Sequence, residues 1–230
     1  MTSDVSQRPF RFGPFDVTTQ VFLTTPHSFA LVNLKPLLPG HVLVCPQVQH
    51  KRLTSLSAQE LADLFGAVQR VQRMLAHHYF TPLSQSQSQS QSQSQSQSDL
   101  SSASDTKTQG QPTPPEAGSF NVVIQDGAEA GQTVPHLHVH VIPRIRGETA
   151  KEANTRGDAI YELIATEAGN VGGALWDRLV RDGVGGRPEP HGAFPRIEDQ
   201  DRQARSMEEM EAEASLYRRV LASVEDRGSS

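Results

Sequence analysis

The chain has almost no cysteine, no long apolar run and no excess of positive charge, and each absence removes a class of protein. Cys45 is the single cysteine in 230 residues, so no internal disulfide framework exists. Its setting, Val42-Leu43-Val44-Cys45-Pro46, reads as a buried strand thiol rather than a nucleophile. Met1 to Pro9 is polar and no apolar run reaches the length of a bilayer span, which predicts neither signal peptide nor membrane anchor and places the chain in cytosol or nucleus. Lysine and arginine number 21 against 26 acidic residues, a net charge of −5. That balance argues against general nucleic-acid binding but permits a local basic pocket for phosphate.

What is present divides unevenly. From Ser84 to Ser98 the chain is an unbroken Ser-Gln repeat, followed by Ser, Thr, Pro and Gln-rich sequence to about Pro115. Without apolar side chains such a tract cannot offset the entropy lost on ordering, so disorder is predicted. Repeated Ser-Gln pairs resemble sites for DNA-damage-response kinases, a kinase-substrate reading set against a neutral repeat expansion. The predicted organisation is a flexible tail over 1–9, one domain over 10–169 interrupted at about 82–117, a linker over 170–205 and a helix over 206–222.

Within the domain, Val21-Phe22-Leu23 and Ser28 to Val32 read as neighbouring strands around a Pro26 turn. Another strand starts at His41 after the Pro39-Gly40 turn, and Phe120 to Ile124 is a further one. Ser57-Ala58-Gln59-Glu60 has capping-box spacing, and Leu61, Leu64, Phe65, Val68, Val71 and Leu75 follow at helical intervals. His77 and His78 fall at the favourable C-terminal end of that helix. Asp158 to Ala165 reads as a short helix, and Ser206 to Ala222 as a longer one with Met210, Ala214, Tyr217 and Leu221 on one face. Trp176 packs or covers a ligand; the sequence does not choose.

Chemistry concentrates in Pro135-His136-Leu137-His138-Val139-His140-Val141-Ile142-Pro143. Extended backbone alternates side chains, so His136, His138 and His140 share one face and Leu137, Val139 and Val141 the other. Three histidines on a straight strand span about 13 Å, too far to ligate one ion together. A pair of them, helped by His41, His50 or a distant carboxylate, remains open as a metal site. Upstream, the loop Gln125 to Val134 carries two glycines, which let backbone amides approach a phosphate.

This loop, the alternating histidines and the segment Leu31 to Val44 together resemble the histidine triad family of nucleotide hydrolases and transferases. Phe10-Arg11-Phe12-Gly13, Ser28 to Asn33, Asp158-Ala159-Ile160-Tyr161 and Ser206 to Met210 are similar to its fragile-histidine-triad branch, whose members are bis(5'-adenosyl)-triphosphatases. The resemblance implies an α+β fold, an antiparallel sheet with one long helix and a C-terminal helix, assembled as a homodimer. It implies that diadenosine triphosphate is cleaved to AMP and ADP, with His138 attacking the α-phosphorus and an AMP-histidine intermediate then yielding to water. His140 would contact phosphate oxygens, and His136 and His41 would orient the nucleophile. Asn33 would hold the ribose, Gln125 and Gln132 the phosphates, and the amides from Gly131 through Thr133 to Val134 the developing charge. A magnesium or manganese ion would arrive with the substrate, with no metal held tightly by the protein. Two alternatives stand beside this reading, an adenosine phosphoramidase of the same superfamily and a nucleotide-sensing adaptor. Pro135 removes a backbone donor just before the triad, so it belongs at a strand start or an unpaired position.

Overall fold

The protein is described by a computed structural model over residues 9–80, 118–151, 158, 160, 161, 164 and 204–228. The Ser-Gln tract, most of the tail and linker, and Trp176 lie outside the described residues. Strands β1 (Arg11–Phe12) and β2 (Phe15–Asp16) form a hairpin. The main sheet contains β3 (Val21–Thr24), β4 (Ser28–Val32), β5 (Val42–Pro46), β6 (Ser119–Ile124) and β7 (Val139–Arg144). Its order is β3-β4-β5-β7-β6, antiparallel throughout. Two long helices, α1 (Ala58–Tyr79) and α2 (Met207–Gly228), complete the α+β architecture.

Local chemistry accounts for the element ends. The Ser57 hydroxyl accepts the Glu60 N–H while the Glu60 carboxylate accepts the Ser57 N–H, the reciprocal pair that the spacing predicts. Ser206 and Glu209 repeat this pairing at the start of α2. That helix runs past the expected Ala222 to Gly228, and its far turn is tied to α1 by the Arg70–Glu225 ion pair. Of the positions expected on the apolar face of α1, Leu64, Val68, Val71 and Leu75 are buried, but Leu61 and Phe65 are each 39% exposed. At about 100° per residue Phe65 sits a quarter-turn from Leu64, on the flank rather than the floor of the stripe. No helix among the described residues is long and apolar enough to cross a membrane.

Strands β4, β5 and β7 are buried along their whole length. Val139 and Val141 face the main core, which also takes Leu64, Val68 and Val71 of α1 and Met210 and Tyr217 of α2. The opposite face of β7 carries His140, Ile142 and Arg144, and it is covered too: Ile142 packs with Leu37, Ile160 and Ile164. The sequence expectation of one straight strand through all three histidines needs correction here. Regular pairing begins only at Val139, and His136 and His138 sit in the irregular approach to it. Pro135 cannot donate, the Leu137 N–H turns away to the His50 carbonyl, and Pro46 offers no N–H opposite. Cys45 is fully buried on β5, and burial raises its thiol pKa well above the ordinary value, as a packed thiol requires.

Candidate active site

The partners of each imidazole nitrogen fix which form it takes. The Nδ1 of His136 accepts the Gly13 N–H at 3.1 Å, so its Nε2 carries the proton and donates to the Pro46 carbonyl at 2.8 Å. The Nδ1 of His138 faces the His136 carbonyl at 2.8 Å, an acceptor only, so Nδ1 is the protonated nitrogen and Nε2 keeps its lone pair. A second chain starts at Leu37, whose N–H donates to His41 Nδ1 at 3.0 Å. His41 Nε2 then donates to His140 Nδ1 at 3.0 Å, which leaves the proton of His140 on Nε2. That Nε2–H is buried and has no acceptor among the described residues.

Two neighbouring rings therefore present opposite capacities. His138 offers an unprotonated nitrogen and His140 an unclaimed donor, their ring centres 5.0 Å apart and their planes inclined by 65°. All four histidines are buried, none more than 3% exposed. Burial lowers the pKa of His138 to about 4, lowers that of His136, and holds that of His140 well below the usual imidazole range, where His138 and His41 push it further down. At neutral pH these three rings are uncharged. A buried polar donor without a partner costs stability and calls for an explanation; among the described residues Ser28 Oγ and Arg205 Nε are the other such atoms, and neither adjoins a ring with an available lone pair.

The remaining expected residues fall around this pair. Asn33, fully buried, places Nδ2 3.4 Å from both ring nitrogens of His41 and uses Oδ1 to accept the Lys35 N–H. Gln125 follows Ile124, which pairs with Val139, so it sits beside the approach to His138. Its Nε2 donates to the Ile164 carbonyl at 3.3 Å and lies 2.6 Å from where a Cβ on Gly131 would stand. Gly131, at φ +93°, thus supplies both a left-handed turn and the space for that amide. Within the loop the Gly131 N–H donates to Ala128 and the Gln132 N–H to Gly127, while the Gln132 side chain reaches away to the Lys51 carbonyl. Thr133 and Val134 are the residues of this run whose N–H groups have no acceptor among the described residues. The Val134 side chain itself is core.

Ring nitrogens also bear on metal binding. Both nitrogens of His136 and of His41 already hold hydrogen-bond partners, and no group of three His, Cys, Asp or Glu among the described residues could hold an ion. His50, the other histidine weighed as a ligand, is paired with Glu60 at 2.9 Å.

Residues 15–147, more than half of the chain, match the HIT domain family. This chain belongs to the HIT family. It is 32% identical over 216 residues to the asymmetrical bis(5'-nucleosyl)-tetraphosphatase of Schizosaccharomyces pombe, covering 94% of this chain and 96% of that one. It is 36% identical over 185 residues to the bis(5'-adenosyl)-triphosphatase of Saccharomyces cerevisiae, covering 78% and 68%. Among solved structures, the Caenorhabditis elegans NitFhit protein superposes with a TM-score of 0.51 at 27% identity over 94% of this chain, which spans 31% of the longer NitFhit chain.

Three residues that hold this HIT site had no role in the sequence reading. Phe12 lies with its ring 5.6 Å from His136 and edge-on 5.1 Å from His138, closing the site against the β1–β2 hairpin. Gly13, at φ +58° and pressed against Val134, supplies the N–H that sets the His136 tautomer. Leu37 does the same for His41 through its backbone. A backbone donor leaves no trace in residue type, although the Phe-Gly turn was a visible local signal for the first two.

Proposed function

We propose that the protein is a dinucleoside polyphosphate hydrolase that cleaves diadenosine triphosphate to AMP and ADP. The observation that carries this reading is the pair of adjacent imidazoles, one with an available lone pair on Nε2 and one with an unpaired Nε2–H. His138 Nε2 attacks the α-phosphorus; a nitrogen–phosphorus bond forms as the bond to the bridging oxygen breaks, and ADP leaves with that electron pair. Water then attacks the same phosphorus, the nitrogen–phosphorus bond breaks, AMP departs and the imidazole is neutral again. The His140 Nε2–H and the amides of Thr133 and Val134 donate to phosphoryl oxygens, whose charge is largest in the transition state. His136 and His41 hold the two reacting rings in the required tautomers. Asn33 takes the ribose hydroxyls, and Gln125 the phosphate chain; Gln132 joins it by leaving the Lys51 carbonyl. A magnesium or manganese ion would arrive with the substrate and neutralise charge on its phosphates; among the described residues no group of three His, Cys, Asp or Glu would hold it.

The names of the two curated relatives support hydrolysis of this substrate class. The tetraphosphatase match, which covers nearly the full length of both chains, specifically favours diadenosine tetraphosphate as a second substrate. The test is a product assay in ¹⁸O-labelled water with diadenosine triphosphate, diadenosine tetraphosphate and an adenosine phosphoramidate. AMP carrying the label, with unlabelled ADP, is expected from the triphosphate. Label in ADP instead, or turnover confined to the phosphoramidate, overturns the reading.

A further inference from the structure

The face of β7 that carries His140 continues through Ile142 to Arg144, and the far end of that row is also polar and largely buried. Arg144 donates four hydrogen bonds: Nε to the Thr149 carbonyl, Nη1 to Asn121 Oδ1 and Asp158 Oδ2, and Nη2 to Asp158 Oδ1. Asp158 is held twofold by this guanidinium and in turn accepts the Ile160 N–H, while its carbonyl accepts the Tyr161 N–H. It therefore anchors the backbone at Ile160 and Tyr161, and Ile160 packs with Ile164, Leu37 and Ile142. The Arg144 charge keeps the Asp158 carboxyl below its ordinary pKa, chiefly through these side-chain hydrogen bonds. Ile164, packed in the same cluster as Ile160, reaches the site, since its carbonyl is the acceptor for Gln125 Nε2.

That acceptor matters because a glutamine amide has two unlike ends. A phosphate needs the N–H side, and a flipped amide would present its oxygen to an anion. The Ile164 carbonyl admits only the nitrogen on its side, and Gly131 leaves the nitrogen room to stay there. We infer that Asp158, clamped by Arg144, is a positioning residue for substrate binding, which through Ile164 holds the Gln125 amide in the orientation that receives the polyphosphate chain. This rests on the phosphate role given to Gln125 above.

A double-mutant cycle on the full chain with diadenosine triphosphate tests it. Asp158→Asn keeps one acceptor for Arg144, and it is expected to raise KM roughly five- to tenfold with a smaller change in kcat. In a Gln125→Ala background the same substitution is expected to change KM less than twofold, because the group it positions is gone. Equal factors in the two backgrounds, or no effect in the first, overturn the proposal in favour of a purely structural ion pair. Arg70→Gln, which breaks the Arg70–Glu225 pair between helices, serves as the control for general loosening. A second readout does not depend on turnover. The side-chain amide resonances of Gln125, identified by their loss in Gln125→Ala, should shift in Asp158→Asn and stay in place in Arg70→Gln. Unmoved resonances refute the positioning role whatever the substrate, whereas an inactive wild type with shifting resonances refutes the hydrolase reading alone.

Discussion

The two ends of one row on β7 bury polar groups in opposite ways. At the His138–His140 end the groups are neutral, and one strong donor is left without an acceptor. About 13 Å along the same face from His140, Arg144 is charged and its donors meet Thr149, Asn121 and both oxygens of Asp158. The second arrangement is what a fold requires of a buried cation, because an unpaired charge there would cost several kcal/mol. The first retains an unmet donor, which the proposed mechanism directs to a phosphoryl oxygen. Burial alone does not separate function from structure in this molecule, and neither does an unmet hydrogen bond alone, since Ser28 Oγ and Arg205 Nε share it; what sets the histidine end apart is an unmet donor beside the available lone pair of His138.

The largest break in this comparison should come from the reacting end. His138→Ala removes the lone pair that nothing else supplies, and turnover of diadenosine triphosphate should fall by on the order of 10⁴-fold or more. Nucleotide binding, measured by calorimetry with AMP, should persist, since Asn33, Gln125 and His140 remain. Turnover within tenfold of wild type would remove His138 from the nucleophile's role. At the other end, Asp158→Ala should leave activity per folded molecule far less affected but lower unfolding free energy by about 3 kcal/mol, because the buried Arg144 loses its counter-charge. Denaturant melts read this directly, and an unchanged midpoint would mean the guanidinium had found water.

His140→Phe asks whether the unmet donor is functional. A phenyl ring fills similar space and relieves an unsatisfied buried donor while removing the His140 acceptor from His41, two effects that oppose each other, so stability should change little. The rate should drop by roughly 10²–10³-fold, the usual cost of removing one donor to a developing oxyanion. A variant equally slow and markedly less stable would make His140 a structural residue after all.

How far the sequence foretold these two ends follows from what each depends on. The histidine end was legible because alternation is a local pattern, and so were the Ser57–Glu60 cap and the strands around Pro26. The start of regular pairing at Val139 was not, since it depends on Pro46 lying opposite and on the distant His50 carbonyl taking the Leu137 N–H. Leu61 and Phe65 were placed with the core because periodicity finds the direction of a stripe but not its width, which neighbouring elements decide. The Arg144–Asp158 clasp left no signal beyond two charges fourteen positions apart. The tautomers were illegible for a similar reason, being set by backbone groups of Gly13, Leu37, Pro46 and His136 from separate parts of the chain.

Acid sharpens the comparison by a smaller amount. The folded pKa of His138 is lowered to about 4 by burial, against about 6.5 for an exposed histidine, so between these values the unfolded chain binds the extra proton and the folded one does not. The stability it contributes is complete above about pH 6.5 and declines as pH falls toward 4, a loss of on the order of 2 kcal/mol by pH 5. His136 and His140, also lowered by burial, add in the same direction. Asp158 and Glu60 have lowered carboxyl pKa values, so their contributions are present above the ordinary carboxylate range and are lost only below it; Glu60 is held at about 2. The window from pH 6.5 to 5 therefore reports buried histidines, with His78 of α1, also lowered by burial, acting in the same direction; melts of wild type should lose stability across it, and the smaller loss expected of His138→Ala isolates the reacting end. In the same window kcat should show no inflection near 6.5 for as long as the protein stays folded, because the nucleophile is already unprotonated. An inflection at that pH in folded enzyme would mean that His138 titrates as a solvated imidazole, and the distinction between a dry reacting end and a charged structural end would fail.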